Sequence, residues 1–354
     1  MPLLVLAAKM ALASTSVAPP GPAAAESRSR LTLDAGEAEA VLAIAESGSV
    51  TEADWTRLFH SESYRRLKDR EAKIAEQFHV PSVAFTDDDF RKFVLSDELR
   101  RRAPSLRSSL EAWKKADFAR VADSALRYLP ASARIRAKIF PVIKPRKNSF
   151  VWEVATDPAI FLYLDPAVGV AKFENTVAHE LHHIGFASVG SGYEAKIAAL
   201  PAAARRSAAL LPSFGEGFAM LAAAGSADVH PHAVSPPEER ARWDRDMESF
   251  GSDLATLDRF FLDVLDGKIS DPGSIDEKAS SFYGTQGPWY TVGYRMAVVV
   301  EKRFGRPALI DAMLDPRKLL VLYNRAASEQ QRSGATPLAL WSARLLAGIG
   351  ASGK

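Results

Sequence analysis

From Ala35 to Arg127, apolar residues recur at three- and four-residue steps. "EAEAVLAIAES", "TEADWTRLFHSESYRRLKDREAKIAEQF", "TDDDFRKFVLSDELRRRA" and "SLRSSLEAWKKADFARVADSALRYL" share this rhythm, which predicts a run of amphipathic helices. Thr51 with Asp54, and Thr86 ahead of Asp87, Asp88 and Asp89, have the chemistry of helix starts with acidic first turns. Between Pro130 and Pro166 the period changes. "ARIRAKIFPVI" alternates apolar and charged residues, "SFVWEVA" follows, and "AIFLYLDP" is a short apolar run. These predict two or three strands, with "KPRKNS" as a turn. After Asp165-Pro166 the helical pattern resumes and runs to about residue 346, broken at "GSADVHPHAVSPPEE" and "GKISDPGSIDEKASSFYGTQGP". There is no internal repeat and no heptad pattern. The order predicts an α+β chain, predominantly α-helical, with a small mixed or antiparallel sheet. The expected divisions are an N-terminal segment 1–30, a helical region 31–130 and a region 131–350, the last two forming one continuous globular unit.

Composition narrows the chemistry. The chain has 354 residues, 47% hydrophobic and 25% charged, enough to bury a real core. A net charge of +2 and a pI near 8.6 give no strong field, so nucleic acid is not an expected partner. There is no cysteine, which excludes disulfides, Cys-type zinc sites and iron–sulfur clusters. Any metal must be held by His, Asp or Glu. At the N-terminus an apolar run from Leu3 to Ala13, interrupted by Lys9, leads into small residues and a Pro/Ala-rich tract. It partly resembles a secretory signal, so export is expected, although a basic leading region is missing and a cytoplasmic location stays open. No other apolar segment approaches the roughly 20 residues of a membrane span, so no stable membrane insertion is expected.

The chemistry concentrates in "ENTVAHELHHIGF", residues 174–186. His179-Glu180-Leu181-His182-His183 matches H-E-x-x-H. Residues four apart on a helix share a face, so His179 and His183 can offer two imidazoles to one Zn²⁺, with Glu180 beside them as general base. Phe173, Val177, Leu181 and Ile184 form the inward stripe, and Asn175, one turn before His179, lies near the metal face. His182 points away from that face and reads as a surface or capping histidine. A catalytic zinc needs a third protein ligand. A histidine six residues past His183 is missing, since that position is Val189. The best candidate is Glu216 in "PSFGEGFAMLAAAG", where Pro212 and Ser213 make a helix start. Gly215, Gly217 and Ala219 would let that helix approach the first one closely. Glu194, and His230 or His232 of the His-Pro-His loop, are the other candidates.

The pair "HELHH" and "EGFA" resembles the gluzincins, zinc metallopeptidases in which H-E-x-x-H is completed by a downstream glutamate. The resemblance implies a zincin-like fold with a small sheet packed on the zinc helix, and Zn²⁺ held by His179, His183 and Glu216. It also implies peptide-bond cleavage by a zinc-activated water, with Glu180 as the base. By the same resemblance, "AIFLYLDP" would be the edge strand that pairs with an extended peptide. "WYTVGYRMAVVVEKRFG" would carry the tyrosine that assists catalysis, Tyr290, with Tyr294 as runner-up. More narrowly, "AEAVLAIAES", "DWTRLFHSESYRRLKDRE" and "TVAHELHHIGF" resemble a bacterial family of zinc-dependent peptidases of uncharacterised function. No G-x-M-E-N segment precedes the zinc helix, which speaks against aminopeptidase activity. The competing readings are a zinc-binding but inactive scaffold that holds peptides, and a helical interaction protein with a fortuitous motif.

Overall fold

The computed structural model describes residues 27–78, 86–190 and 192–351. The signal-like stretch thus lies outside the described residues up to position 26. The chain then runs β1 (Ser29–Leu33), α1 (Gly36–Glu46), α2 (Glu52–Phe59), α3 (Glu62–Phe78), α4 (Asp87–Val94), α5 (Asp97–Trp113) and α6 (Phe118–Leu126). Three strands follow, β2 (Ile135–Val142), β3 (Phe150–Trp152) and β4 (Ala159–Tyr163). The helices after them are α7 (Val170–Val189), α8 (Tyr193–Ile197), α9 (Ala202–Ala208), α10 (Gly215–Ala224), α11 (Pro237–Glu248) and α12 (Phe250–Leu265). Last come α13 (Pro272–Ser281), α14 (Pro288–Phe304), α15 (Arg306–Met313), α16 (Pro316–Arg332) and α17 (Ala343–Gly348). The chain is α+β and mostly helical, as its periodicity implies.

Local chemistry sets the helix limits. Thr51 and Asp54 form a reciprocal capping box at α2, and Thr86 accepts the Asp89 backbone N–H at α4. Gly225, at φ 81°, ends α10 in the left-handed region that residues with a Cβ resist.

The chain divides into two compact units. The first comprises residues up to Ala119 together with Ile135–Glu174. Its sheet has the order β1-β2-β4-β3, with β1 and β4 parallel to β2 and β3 antiparallel to β4. Two expectations are corrected here. "SRLTL" is a strand, although it lies where the sequence reads as tail and helix. β4 is not an edge strand: β2 and β3 flank it on both sides, and β1 and β3 are the edges. All five β4 residues are buried, which is why the run is apolar without alternation. Leu67, Phe140, Val142, Phe150, Ala159 and Phe161 form the core on this sheet.

The second unit comprises Arg120–Arg134 and Asn175–Lys354. Its centre is aromatic: Phe214 packs edge-on against Trp289 (5.1 Å between ring centres) and Trp341 (5.7 Å), with Phe261 beside both. One stretch among the described residues, Ala202–Ala224, is apolar and long enough to cross a membrane by length and composition. It is instead divided between α9, a short 3-10 turn and α10, and is mostly buried.

Candidate metal centre

The α7 stripe buries as its spacing predicts: Phe173, Val177, Leu181 and Ile184 are all almost completely enclosed. That burial fixes the helix's rotation, and with it the direction of His179 and His183. A 3-10 turn, Leu211–Phe214, leads into α10 and puts Glu216 in its first turn, where the helix dipole favours a carboxylate. Two features hold α10 in place. The Asn175 side-chain amide donates to the Ala223 carbonyl (3.0 Å), tying α7 to α10. Gly217 lies directly on the α14 backbone, where an added Cβ would stand 2.0 Å from the Tyr294 nitrogen and 2.6 Å from Gly293 Cα. The close approach that this glycine permits is therefore to α14, whereas Gly215 faces open space.

These elements bring three donor atoms together. His179 Nε2 lies 3.2 Å from Glu216 Oε2 and 3.2 Å from His183 Nε2, and the third side, His183 Nε2 to Glu216 Oε2, is 3.3 Å. A tetrahedral ion with bonds of about 2.0–2.1 Å needs neighbouring donors about 3.3 Å apart. Two imidazole nitrogens and a carboxylate oxygen pointed at one spot are suited to a shared positive charge, and the set could hold a metal. Burial pushes the Glu216 carboxyl up, but His183 and the hydrogen bonds from both imidazoles pull it well below the usual range. The His183 ring moves the opposite way: Glu216 outweighs burial and raises it. The His183 side chain is 26% exposed, against 8% for His179 and 7% for Glu216, so the centre opens on the His183 side.

Glu180 is 1% exposed, and neither carboxylate oxygen meets a protein partner. Burial raises its pKa, with the two imidazoles opposing. The Tyr290 ring lies almost parallel to the His179 ring at 6.3 Å. Burial, then the Glu216 and Glu180 carboxylates, push its phenol far up, so it stays protonated.

The family model described as "Putative zinc dependent peptidase (DUF5700)" matches residues 55–332. The chain belongs to this family. No curated protein and no solved structure matches it. The resemblance read from "DWTRLFHSESYRRLKDRE" and "TVAHELHHIGF" is thus upheld, while "AEAVLAIAES" lies ahead of the matched residues.

The other residues singled out in the sequence of this family member lie apart from the triangle. Glu194 is exposed on the first turn of α8. His230 donates through Nε2 to Asp244 Oδ1 (2.9 Å) while its Nδ1 accepts the His232 backbone N–H (3.0 Å). His232 shares a hydrogen bond with Ser235 Oγ (2.9 Å). Tyr294 packs edge-on against Trp243, and its hydroxyl donates to the Val229 carbonyl, whereas Tyr290 is the one whose ring lies along His179. His182 is a correction. It is neither on the surface nor a cap but 1% exposed, and burial, then its two histidine neighbours, push it down to about 3. The Tyr128 backbone lies within reach of the ring and opposes this shift. Tyr283 is a residue that sequence reasoning missed. Its phenol, pushed up to about 12 mainly by burial, lies within electrostatic reach of Glu216.

Proposed function

We propose that this protein is a zinc-dependent hydrolase of peptide bonds, with zinc held by His179, His183 and Glu216. The observation that carries the reading is the near-equilateral triangle of donor atoms, 3.2–3.3 Å on a side, next to a buried glutamate with both oxygens uncommitted. When bound there, zinc supplies Lewis acidity, polarising a carbonyl and lowering the pKa of water to about 7. Glu180 accepts the proton from the attacking water and returns it to the departing amine; its burial favours the protonated state that the second step needs. Tyr290 donates its phenolic proton as a hydrogen bond to charge that develops on the carbonyl oxygen. Its own surroundings keep that proton in place. The family's description and the H-E-x-x-H geometry support a peptide as substrate.

The test is zinc stoichiometry on the purified chain, combined with a peptide-library digest with and without chelator. One zinc per chain and chelator-sensitive cleavage are expected. A chain that binds zinc but cleaves nothing would be a peptide-holding scaffold instead.

A further inference from the structure

The turn that feeds α14 is held in a conformation that a chain does not adopt freely. Gln286 has φ 63°, in the left-handed region that residues with a Cβ avoid, and Gly284 sits at φ 43°. Gly287 is wedged so tightly that an added Cβ would meet the Phe282 carbonyl at 2.6 Å. Backbone bonds lock this shape: Gly287 N–H donates to the Tyr283 carbonyl (2.7 Å), and Tyr290 N–H to the Gly287 carbonyl (2.8 Å).

The locked turn sets two polar side chains against the segment that carries Glu216. The Tyr283 hydroxyl donates to Ser213 Oγ (3.1 Å), three residues ahead of Glu216. The Gln286 amide reaches Met220 Sδ (3.8 Å), and Met220 follows Glu216 by four residues, one turn along the same face of α10. A thioether is a weak acceptor. The other end of the carboxamide, Oε1, is buried with no protein partner. Turning the carboxamide over only exchanges which of its two polar atoms is left without one. Buried polar groups are paired as a rule, so an orphan beside a reactive centre calls for a partner from outside.

We propose that the turn Tyr283–Gly287 is a polar subsite beside the metal centre, where the Gln286 carboxamide and the Tyr283 oxygen receive a main-chain amide group of the peptide. A peptide bond carries both an N–H and a C=O, which complements a carboxamide in either orientation. An uncharged acceptor suits that amide better than a charged amine. The inference rests on the hydrolase reading above.

The test uses the zinc-loaded full-length chain, a peptide taken from the library digest, and Gln286→Leu, which keeps the volume and removes both polar atoms. KM should rise roughly tenfold, with kcat falling less than KM rises. Binding of the same peptide to a Glu180→Gln background, followed by calorimetry without turnover, should weaken by a similar factor. Zinc affinity should stay the same, and Tm should hold or increase because the orphan is gone. If Leu prevents folding, Gln286→Met serves the same comparison. Unchanged KM and unchanged peptide affinity, or a lower Tm with no change in binding, would show that Gln286 serves only the fold. If the wild-type chain neither cleaves nor binds any peptide, the hydrolase reading fails and takes the subsite with it. Wild-type cleavage that the Gln286 variant matches removes the subsite alone.

Discussion

Each unit encloses a glutamate completely, Glu37 in the first and Glu180 in the second, and the two are provided for in opposite ways. Glu37 Oε2 accepts the Ile143 backbone N–H (3.0 Å), and Lys144 lies close by. That lysine is itself committed, donating to the Arg146 carbonyl (2.5 Å) and to Asn148. Burial pushes the Glu37 carboxyl up to about 8 and the Lys144 amine down to about 7, so both lean toward neutral forms. Glu180 has no backbone donor and no lysine, only imidazoles and a second carboxylate close at hand. A buried acid tied to its own backbone serves the fold. One left uncommitted beside donors that could hold a metal is available to move a proton.

Four changes test that contrast. The largest effect is expected from Glu180→Gln, which should cut peptide turnover by about three orders of magnitude while zinc still binds. Turnover near wild type would remove Glu180 from the chemistry. Next, Glu216→Ala should weaken zinc binding by roughly a hundredfold or more, read by competition with a chromophoric chelator. Full metal content at low free zinc would mean that another group completes the site. The third change concerns the first unit. The folded chain holds a proton on Glu37 up to about pH 8, whereas the unfolded chain releases it near 4.5. The native state therefore binds more protons in that window, and the Glu37 contribution to stability should fall as pH rises through it, by on the order of 3–5 kcal/mol. Glu37→Gln should flatten this slope in thermal melts between pH 5 and 8 and leave zinc affinity alone; an unaltered slope would contradict the neutral Glu37. The smallest effect belongs to Asn175→Ala, which cuts the strap to Ala223 and should cost roughly tenfold in zinc affinity.

How much of this was readable in the chain depends on distance along it. H-E-x-x-H needs only the helical repeat, so His179, Glu180 and His183 could be placed together from four consecutive spacings. Glu216 lies 33 residues past His183, and it was reached indirectly: by the absence of a histidine at position 189, a helix start at Pro212 and Ser213, small neighbours and the gluzincin likeness. Strand order was less accessible. The apolar run of β4 suggested an edge by analogy, yet its lack of alternation is what an interior strand flanked on both sides produces. β1 was missed because five residues beside a low-complexity tail carry too little pattern to register. His182 illustrates the remaining gap: its neighbours along α7 say which face it occupies, but not what covers that face. The Tyr283–Gly287 turn read as a plain loop, because backbone dihedrals are not written in residue type when the left-handed position holds a glutamine.

The contact between Gly217 and Gly293 also bears on time. An added Cβ at Gly293 would stand 2.7 Å from the Phe214 carbonyl and 3.3 Å from Gly217 Cα, so the crossing is tight from both sides. With no side chain between the two backbones, α10 has no slack by which Glu216 could swing aside. Any release of an ion held there that needs the α10 backbone to move should then wait for α10 and α14 to part, on the slow clock of local unfolding. Hydrogen exchange at the Gly217 and Tyr294 amides would keep that clock, and zinc dissociation by that route should run at its pace.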